Sequence, residues 1–218
     1  LGLGYRLTME ALSRRGAQAR DAARLRALFD AGQIGSWMGR YAEAQHHLQE
    51  SIAIARERGD TQDVAAALQP LALACLGLGD LAAARGHLEE ALVLERERGN
   101  ERDVAGVLNA LAQIHRAQGE LDASEPLYED VLAIARRLGD REVMAIGLLN
   151  LAMVLIGRGA GERAAAMLRE VQAIAEALGW RPAGQSVLEV CAGLAASGAE
   201  WDQAARFYGA AEAEARKT

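Results

Sequence analysis

The chain has 218 residues, 51% of them apolar and only 4% aromatic, and carries a formal charge of −6. That is enough apolar surface for a continuous core, and the dominance of Ala, Leu, Arg and Glu favours helix over strand, so no sheet is expected. The acidic balance excludes a surface built to neutralise phosphates, and no run of about 18 apolar residues is present to span a membrane.

Taken in chain order, Leu1 to Tyr5 lack the charged and apolar regions of a signal peptide. With no initiator Met, the opening reads as the middle of a longer protein. A partial leading helix is expected within residues 1–20, around Leu7–Arg15. From there the chain repeats every 40 residues. Glycines stand at Gly59, Gly99, Gly139 and Gly179, followed by Asp60, Asn100, Asp140 and, breaking the pattern, Trp180. Glycine ends a helix in the left-handed conformation without a Cβ penalty, and Asp or Asn then caps the next helix. A second set of turns falls halfway through each unit: Gly39-Arg40-Tyr41, Gly79-Asp80-Leu81, Gly119-Glu120-Leu121 and Gly159-Ala160-Gly161. In the last unit, Gly198-Ala199-Glu200-Trp201, the glycine has slid by one position. Each repeat is therefore two helices, A and B, of about 15–18 residues, or about 25 Å at 1.5 Å per residue. The repeats span 21–60, 61–100, 101–140, 141–180 and 181–218.

Both helices are amphipathic. In the second unit, helix A carries Val64, Leu68, Leu71, Ala72 and Cys75 on one face, and helix B carries Leu81, Ala84, Leu88, Ala91 and Leu92. Leu28, Leu68, Leu108, Leu148 and Leu188 form a column on the A helices. Ala44, Ala84, Ser124, Ala164 and Ala204 form a small-residue column on the B helices, with Leu48, Leu88, Tyr128, Leu168 and Tyr208 four positions later. The small residue lets two helices approach, and the large one fills the gap above.

The run Leu68…Leu71-Ala72…Gly79-Asp80-Leu81…Ala84…Leu88…Ala91 resembles the tetratricopeptide repeat, with a longer unit and Gly in place of the usual closing Pro. The resemblance implies an all-α fold: a right-handed α–α superhelix, a single TPR-like solenoid domain over 1–218 with about five 40-residue helix-turn-helix repeats. HEAT-like repeats share the period but lack this Gly-Asp turn and alanine column. The segments Leu48–Asp60, Leu88–Asn100 and Gln203–Ala213 also resemble the C-terminal sensor arms of bacterial signal-transduction ATPases, including LuxR-type and AfsR-type transcriptional regulators. No phosphate-binding loop is present in this sequence.

In this family the A helices line a concave groove for a peptide or partner helix. Position by position, that implies Arg26, Phe29, Asp30, Gln33 and Trp37 in the first unit, and Gln69, Leu73 and Leu76 in the second. Asn109, Gln113 and Arg116 follow in the third, and Asn150 and Met153 in the fourth. Asn150 stands where the family commonly holds a ligand's backbone. A basic carboxylate clamp is not expected, because Lys217 is the one lysine. The mixture of amides and apolar groups suits a helix or extended segment. The expected role is a protein-interaction or regulatory module, with a metabolite bound near Trp37, Gln69 or Asn109 as the alternative. A homodimer through the solenoid ends is possible, because exposed terminal repeats are vulnerable.

Neither cofactor nor metal is expected. His47 and His87 share a B-helix position, but two imidazoles are one ligand short of a zinc site, and solvent-facing side chains at a helix edge are the expectation. His115 replaces Cys75 and Leu155 at an inward position and reads as a satisfied core histidine. Glu89-Glu90 and Glu129-Asp130 should be solvated and paired with arginines such as Arg85, not set in the shared pocket that splits catalytic carboxylate pKa values. No nucleophile–base constellation stands out, so no enzyme activity is expected. Cys75 and Cys191, both inward and about three repeats apart, are too distant for a disulfide and read as reduced thiols in a cytoplasmic protein. Pro182 suits the first turn of a helix. Pro70 should kink its helix, and Pro126 should delay or bend the start of its own.

Overall fold

The computed structural model describes residues 2–14, 16–179 and 181–216, with Arg181–Gly184 and Glu214 described by backbone alone. The cap expected at Trp180, the end of the leading helix at Arg15 and the lone Lys217 lie outside the described residues. Among those described there are eleven α-helices and no strand. They are α1 (Gly2–Ser13), α2 (Ala22–Trp37), α3 (Tyr41–Glu57), α4 (Thr61–Gly77), α5 (Leu81–Arg98), α6 (Glu101–Ala117), α7 (Leu121–Leu138), α8 (Arg141–Gly157), α9 (Gly161–Leu178), α10 (Arg181–Ser197) and α11 (Trp201–Ala215). The all-α fold class and the alternation of A helices (α2, α4, α6, α8, α10) with B helices (α3, α5, α7, α9, α11) are as expected.

The helices form two compact units, residues 1–107 and 108–218. In the first, α1 packs on α2, α2 on α3 and α4, α3 on α4, and α4 on α5. Its core is Leu25, Leu28, Leu48, Ile54, Leu68, Leu71, Cys75 and Leu88. In the second, α7 packs on α8, α8 on α9 and α10, and α10 on both α9 and α11. Its core gathers Tyr128, Leu132, Leu148, Leu151, Leu155, Leu168, Val171 and Ile174.

From α2 onward, consecutive helices are joined by turns of two or three residues. At Gly59 (φ +68) the chain enters the left-handed region. Gly59 N–H then donates to Arg56 O at 3.1 Å and Asp60 N–H to Ala55 O at 2.9 Å, satisfying two carbonyls that would otherwise be orphaned. The Asp60 carboxylate meanwhile accepts from Asp63 N–H at 3.1 Å, capping the next helix. Asp80 repeats both roles, donating to Cys75 O at 2.9 Å and accepting from Ala83 N–H at 2.9 Å. Asp140 does so too, with 3.0 Å to Ala135 O and 3.0 Å from Val143 N–H. In the last unit the glycine slides but the geometry does not. Ala199 adopts φ +60, in register with Gly39, Gly79, Gly119 and Gly159. A left-handed alanine is costly by about 1 kcal/mol, so Ala199→Gly should raise stability by about that amount, read as a higher urea midpoint. An unchanged or lower midpoint would contradict the assignment of strain.

Three expectations need correction. The leading helix starts at Gly2, earlier than the expected Leu7, because Tyr5 is buried against Gly35 and its hydroxyl donates to Glu43 at 2.6 Å. That burial and the neighbouring carboxylate raise the Tyr5 pKa to about 12. Pro126 does not delay α7, which starts at Leu121 as α5 starts at Leu81. Its first turn is closed by Ala123 and Ser124 N–H groups donating to Glu120 O, both at 3.1 Å. Tyr208 is 59% exposed, whereas Leu48, Leu88, Tyr128 and Leu168 in the same column are buried. Those four are covered by a following A helix, and α11 is the last helix described. Helix α4 runs unbroken through Pro70. Pro182 is the second residue of α10, as its missing N–H favours.

Candidate functional site

In the first unit the expected groove residues stand on the A helices α2 and α4. Arg26 pairs with Asp30 at 3.3 Å and lays its guanidinium 5.3 Å from the centroid of Phe29. The guanidinium is attracted electrostatically to the ring face. Gln33 and Leu76 are half-buried, while Trp37 at 57% and Leu73 at 40% exposed are the large apolar groups offered to solvent. Gln69 is exposed on α4, and a Cβ on Gly106 would stand 3.6 Å from its Nε2. The absence of a side chain there leaves the amide open.

In the second unit Asn150 Nδ2 donates to Asn109 Oδ1 at 2.9 Å, linking the A helices α6 and α8. Gln113 is exposed beside this pair, and Met153 is half-buried and packs onto the core. Arg116 is half-buried, with its Nε enclosed and outside hydrogen-bond reach of any partner among the described residues. It approaches the Tyr128 hydroxyl, which is wholly buried. Desolvation raises the Tyr128 pKa, and the side-chain contact with Arg116, then its charge, offsets part of that rise. The twelve residues thus divide between two faces, Arg26, Phe29, Asp30, Gln33, Trp37, Gln69 and Leu73 on one unit, and Asn109, Gln113, Arg116, Asn150 and Met153 on the other.

The histidines depart from expectation. His47 is half-buried with both ring nitrogens enclosed and unpaired, not turned to solvent. Desolvation first, and the nearby His46 second, lower its pKa and favour the neutral ring. His115 is half-buried at the helix end instead of fully in the core, because its Nδ1 lies 2.6 Å from Glu120 Oε2 at the turn. Among the described residues no three His, Cys, Asp or Glu side chains converge as a metal site would require. Glu90 pairs with Arg56 at 2.6 Å, and Glu89, Glu129 and Asp130 are exposed. Both cysteines are free; Cys75 is buried, while Cys191 is only partly so.

One buried charge went unread in the sequence. Glu95 is 3% exposed on α5, held by Arg98 Nη1 at 3.0 Å from both carboxylate oxygens. The signal was legible, since the same column holds Ala55, Ala135 and Ala175. Burial raises the Glu95 pKa, with Arg98 acting against the rise.

Among solved structures, the chain is similar to the kinesin light chain TPR-like repeats of Podosopora anserina, at 21% identity and a TM-score of 0.70, covering 89% of this chain and 95% of that one. It is similar to BtubC (BKLC) of P. vanneervenii at 18% identity and a TM-score of 0.74, covering 99% and 88%. A Rap protein complexed with Competence and Sporulation Factor matches at 18% identity and a TM-score of 0.73, covering 98% of this chain and 58% of that one. At these identities the likeness concerns the fold. No curated protein matches the chain. No helix among the described residues is long and apolar enough to cross a membrane. The tetratricopeptide repeat family profile matches residues 17–94 and 103–177, most of the chain. With its punctuated helix pairs and alanine columns, the chain belongs to the tetratricopeptide repeat family.

Proposed function

We propose that this chain is a protein-interaction module that holds an extended or helical peptide segment on its A-helix faces. The observation that carries the reading is the Asn109–Asn150 hydrogen bond. With Asn109 Oδ1 accepting from Asn150 Nδ2, Asn109 Nδ2 remains as a donor and Asn150 Oδ1 as an acceptor. A peptide unit requires one of each. Gln113 extends the same polar strip, and Trp37 and Leu73 supply apolar anchors on the other unit. Aromatic anchors among polar groups are the usual composition of binding hot spots. The Rap protein complexed with Competence and Sporulation Factor supports the idea that a fold of this kind accommodates a second molecule.

A binding role also fits Glu89, Glu90, Glu129 and Asp130, which are exposed or paired with arginine and share no enclosed pocket of the kind that catalytic carboxylate pairs occupy. The likeness of Leu48–Asp60, Leu88–Asn100 and Gln203–Ala213 to sensor arms supports a regulatory arm of a bacterial signalling ATPase or transcriptional regulator working in the cytoplasm. Self-association through the end helices belongs to the same reading, since α1 leaves Leu3 and Leu7 exposed and α11 leaves Trp201 and Tyr208 exposed.

Panning a random peptide library on the immobilised chain tests the proposal. Selected peptides should lose about ten-fold in affinity against Asn109→Ala or Asn150→Ala, one lost hydrogen bond each, while losing the Asn109–Asn150 bond lowers the chain's own stability by only about 1 kcal/mol and leaves it folded. Failure to enrich any sequence, or binders indifferent to both substitutions and to Trp37→Ala, would sink it. If a small metabolite raises the melting temperature and peptides do not, an effector site replaces the peptide reading.

A further inference from the structure

Two departures from the repeat coincide at one junction in the second unit. Elsewhere, the first residue of a B helix lays its side chain over the end of the next A helix. In the first unit a Cβ on Gly77 would overlap the Tyr41 ring, and in the second a Cβ on Gly157 would stand 3.0 Å from Leu121 Cδ1. Forty residues on from Leu121 and Gly157, the corresponding pair is Gly161 and Ser197, so no large side chain reaches across from α9. One column away, Ala31, Leu71, Leu111 and Leu151 are all buried, whereas the fifth repeat has Cys191, smaller than the leucine of the three middle repeats and only partly buried. Leu194 Cδ1 stands 3.5 Å from where a Cβ on Gly161 would be and fills part of the space, and the rest is left open.

What remains is a concavity of about 570 Å³, half open to solvent and bounded by α9, α10 and α11. Leu168, Val187, Cys191, Leu194 and Phe207 make its apolar wall. Arg169, Gln172, Ser197 and Gln203 stand among the polar groups lining it. Interiors close-pack, and repeats that share one architecture would fill this space by keeping the leucine and the large B-helix residue. The volume lies in the range of small-molecule sites, which pair apolar walls with a few polar groups in the same way.

We propose that this cavity is a binding site for an amphipathic small molecule that inserts one uncharged aromatic ring between Gly161 and Ser197. The ring takes the place that the Tyr41 phenol holds over Gly77, and the polar remainder of the ligand meets the Arg169 and Gln203 side chains. The site is separate from the A-helix faces and does not depend on their function. A single side chain from a protein partner would leave most of the space empty, whereas a free molecule of this class occupies it.

Cys191 is a built-in reporter, because a ligand seated against the cavity wall covers its thiol. The probe is p-cresol, the tyrosine side chain cut at Cβ, and the readout is the rate of Cys191 carbamidomethylation by iodoacetamide followed by peptide mass. Cys75, buried in the first unit, serves as the control for general opening. At four times its Kd, p-cresol should slow Cys191 modification about five-fold and leave Cys75 unchanged. Gly161→Leu places a side chain in the cavity, so modification should be slow from the start and indifferent to p-cresol. Should that variant fold poorly, Cys191→Leu restores the repeat's leucine, and p-cresol should then no longer raise the melting temperature as it does for the unaltered chain. Unchanged Cys191 kinetics up to the solubility limit of p-cresol would overturn the proposal. So would equal protection in Gly161→Leu, or an undiminished melting shift in Cys191→Leu.

Discussion

Gly32→Ala is expected to destabilise the chain by about 2 kcal/mol, although helix propensity alone favours the change by about 1 kcal/mol. Position 32 is buried in α2, and the corresponding residues of the other repeats are Ala72, Ala112, Ala152 and Ala192. By sequence, alanine is the natural substitution. The structure reverses that sign. A Cβ on Gly32 would overlap Leu48 Cγ and come within 2.9 and 3.1 Å of its methyl carbons. Leu48 is wholly buried and has no room to turn aside. Overpacking of this kind costs about 1–3 kcal/mol and exceeds the propensity gain. Urea unfolding followed by circular dichroism measures the difference. A double-mutant cycle isolates its cause: Leu48→Ala alone should cost about 2–5 kcal/mol, and combined with Gly32→Ala the total should fall short of the sum by at least about 1 kcal/mol. A raised midpoint for Gly32→Ala would mean that α2 and α3 are not so closely packed.

Glu95→Met is expected to have the opposite sign, stabilising the chain by about 1–2 kcal/mol at neutral pH. The carboxylate is buried with the Asp103 charge near it, and its partner Arg98 is only partly enclosed. The desolvation penalty outweighs the attraction, as the raised pKa records. Methionine fills a similar volume without charge and leaves Arg98 free to reach solvent. The pH dependence follows from the sign of the shift. Because the folded-state pKa lies above the unfolded value of 4.5, the folded chain holds the proton more tightly. Glu95 therefore contributes stability below pH 4.5, and that contribution is lost as pH rises through its folded pKa. Glu95→Met removes this component of the decline. A melting-temperature series across that range checks both statements, and a lower melting temperature for the methionine variant at neutral pH would mean that the Arg98 pair repays the burial.

These two sites show what can be read from a repeat sequence. The recurring glycines marked the turns between most helices, and at Asp60, Asp80 and Asp140 the next residue also caps the following helix, whereas α3, α7 and α9 start without a side-chain cap. The alanine and leucine columns located the core for the same reason, since a position buried in one repeat is buried in its neighbours. Tyr208 escaped this logic because burial depends on a following helix, which sequence periodicity does not report. The depth of His47 and the Arg116–Tyr128 encounter were equally hidden, as both depend on side-chain packing across helices. Gly32 looked like a weak alanine until the distance to Leu48 was known. The candidate groove was legible as a set of positions, whereas the Asn109–Asn150 bond that orients its amides required coordinates.

The double use of Asp60, Asp80 and Asp140 has a consequence for how the chain opens. Each of these residues ties the last turn of one helix to the first turn of another through two bonds on a single residue, one from its backbone N–H and one to its carboxylate. Fraying at either end therefore removes a restraint from the other, and local melting should spread through the junction instead of stopping at it. In hydrogen exchange, the amides on both sides of such a residue should lose protection together, so each junction behaves as one opening event shared by two helices.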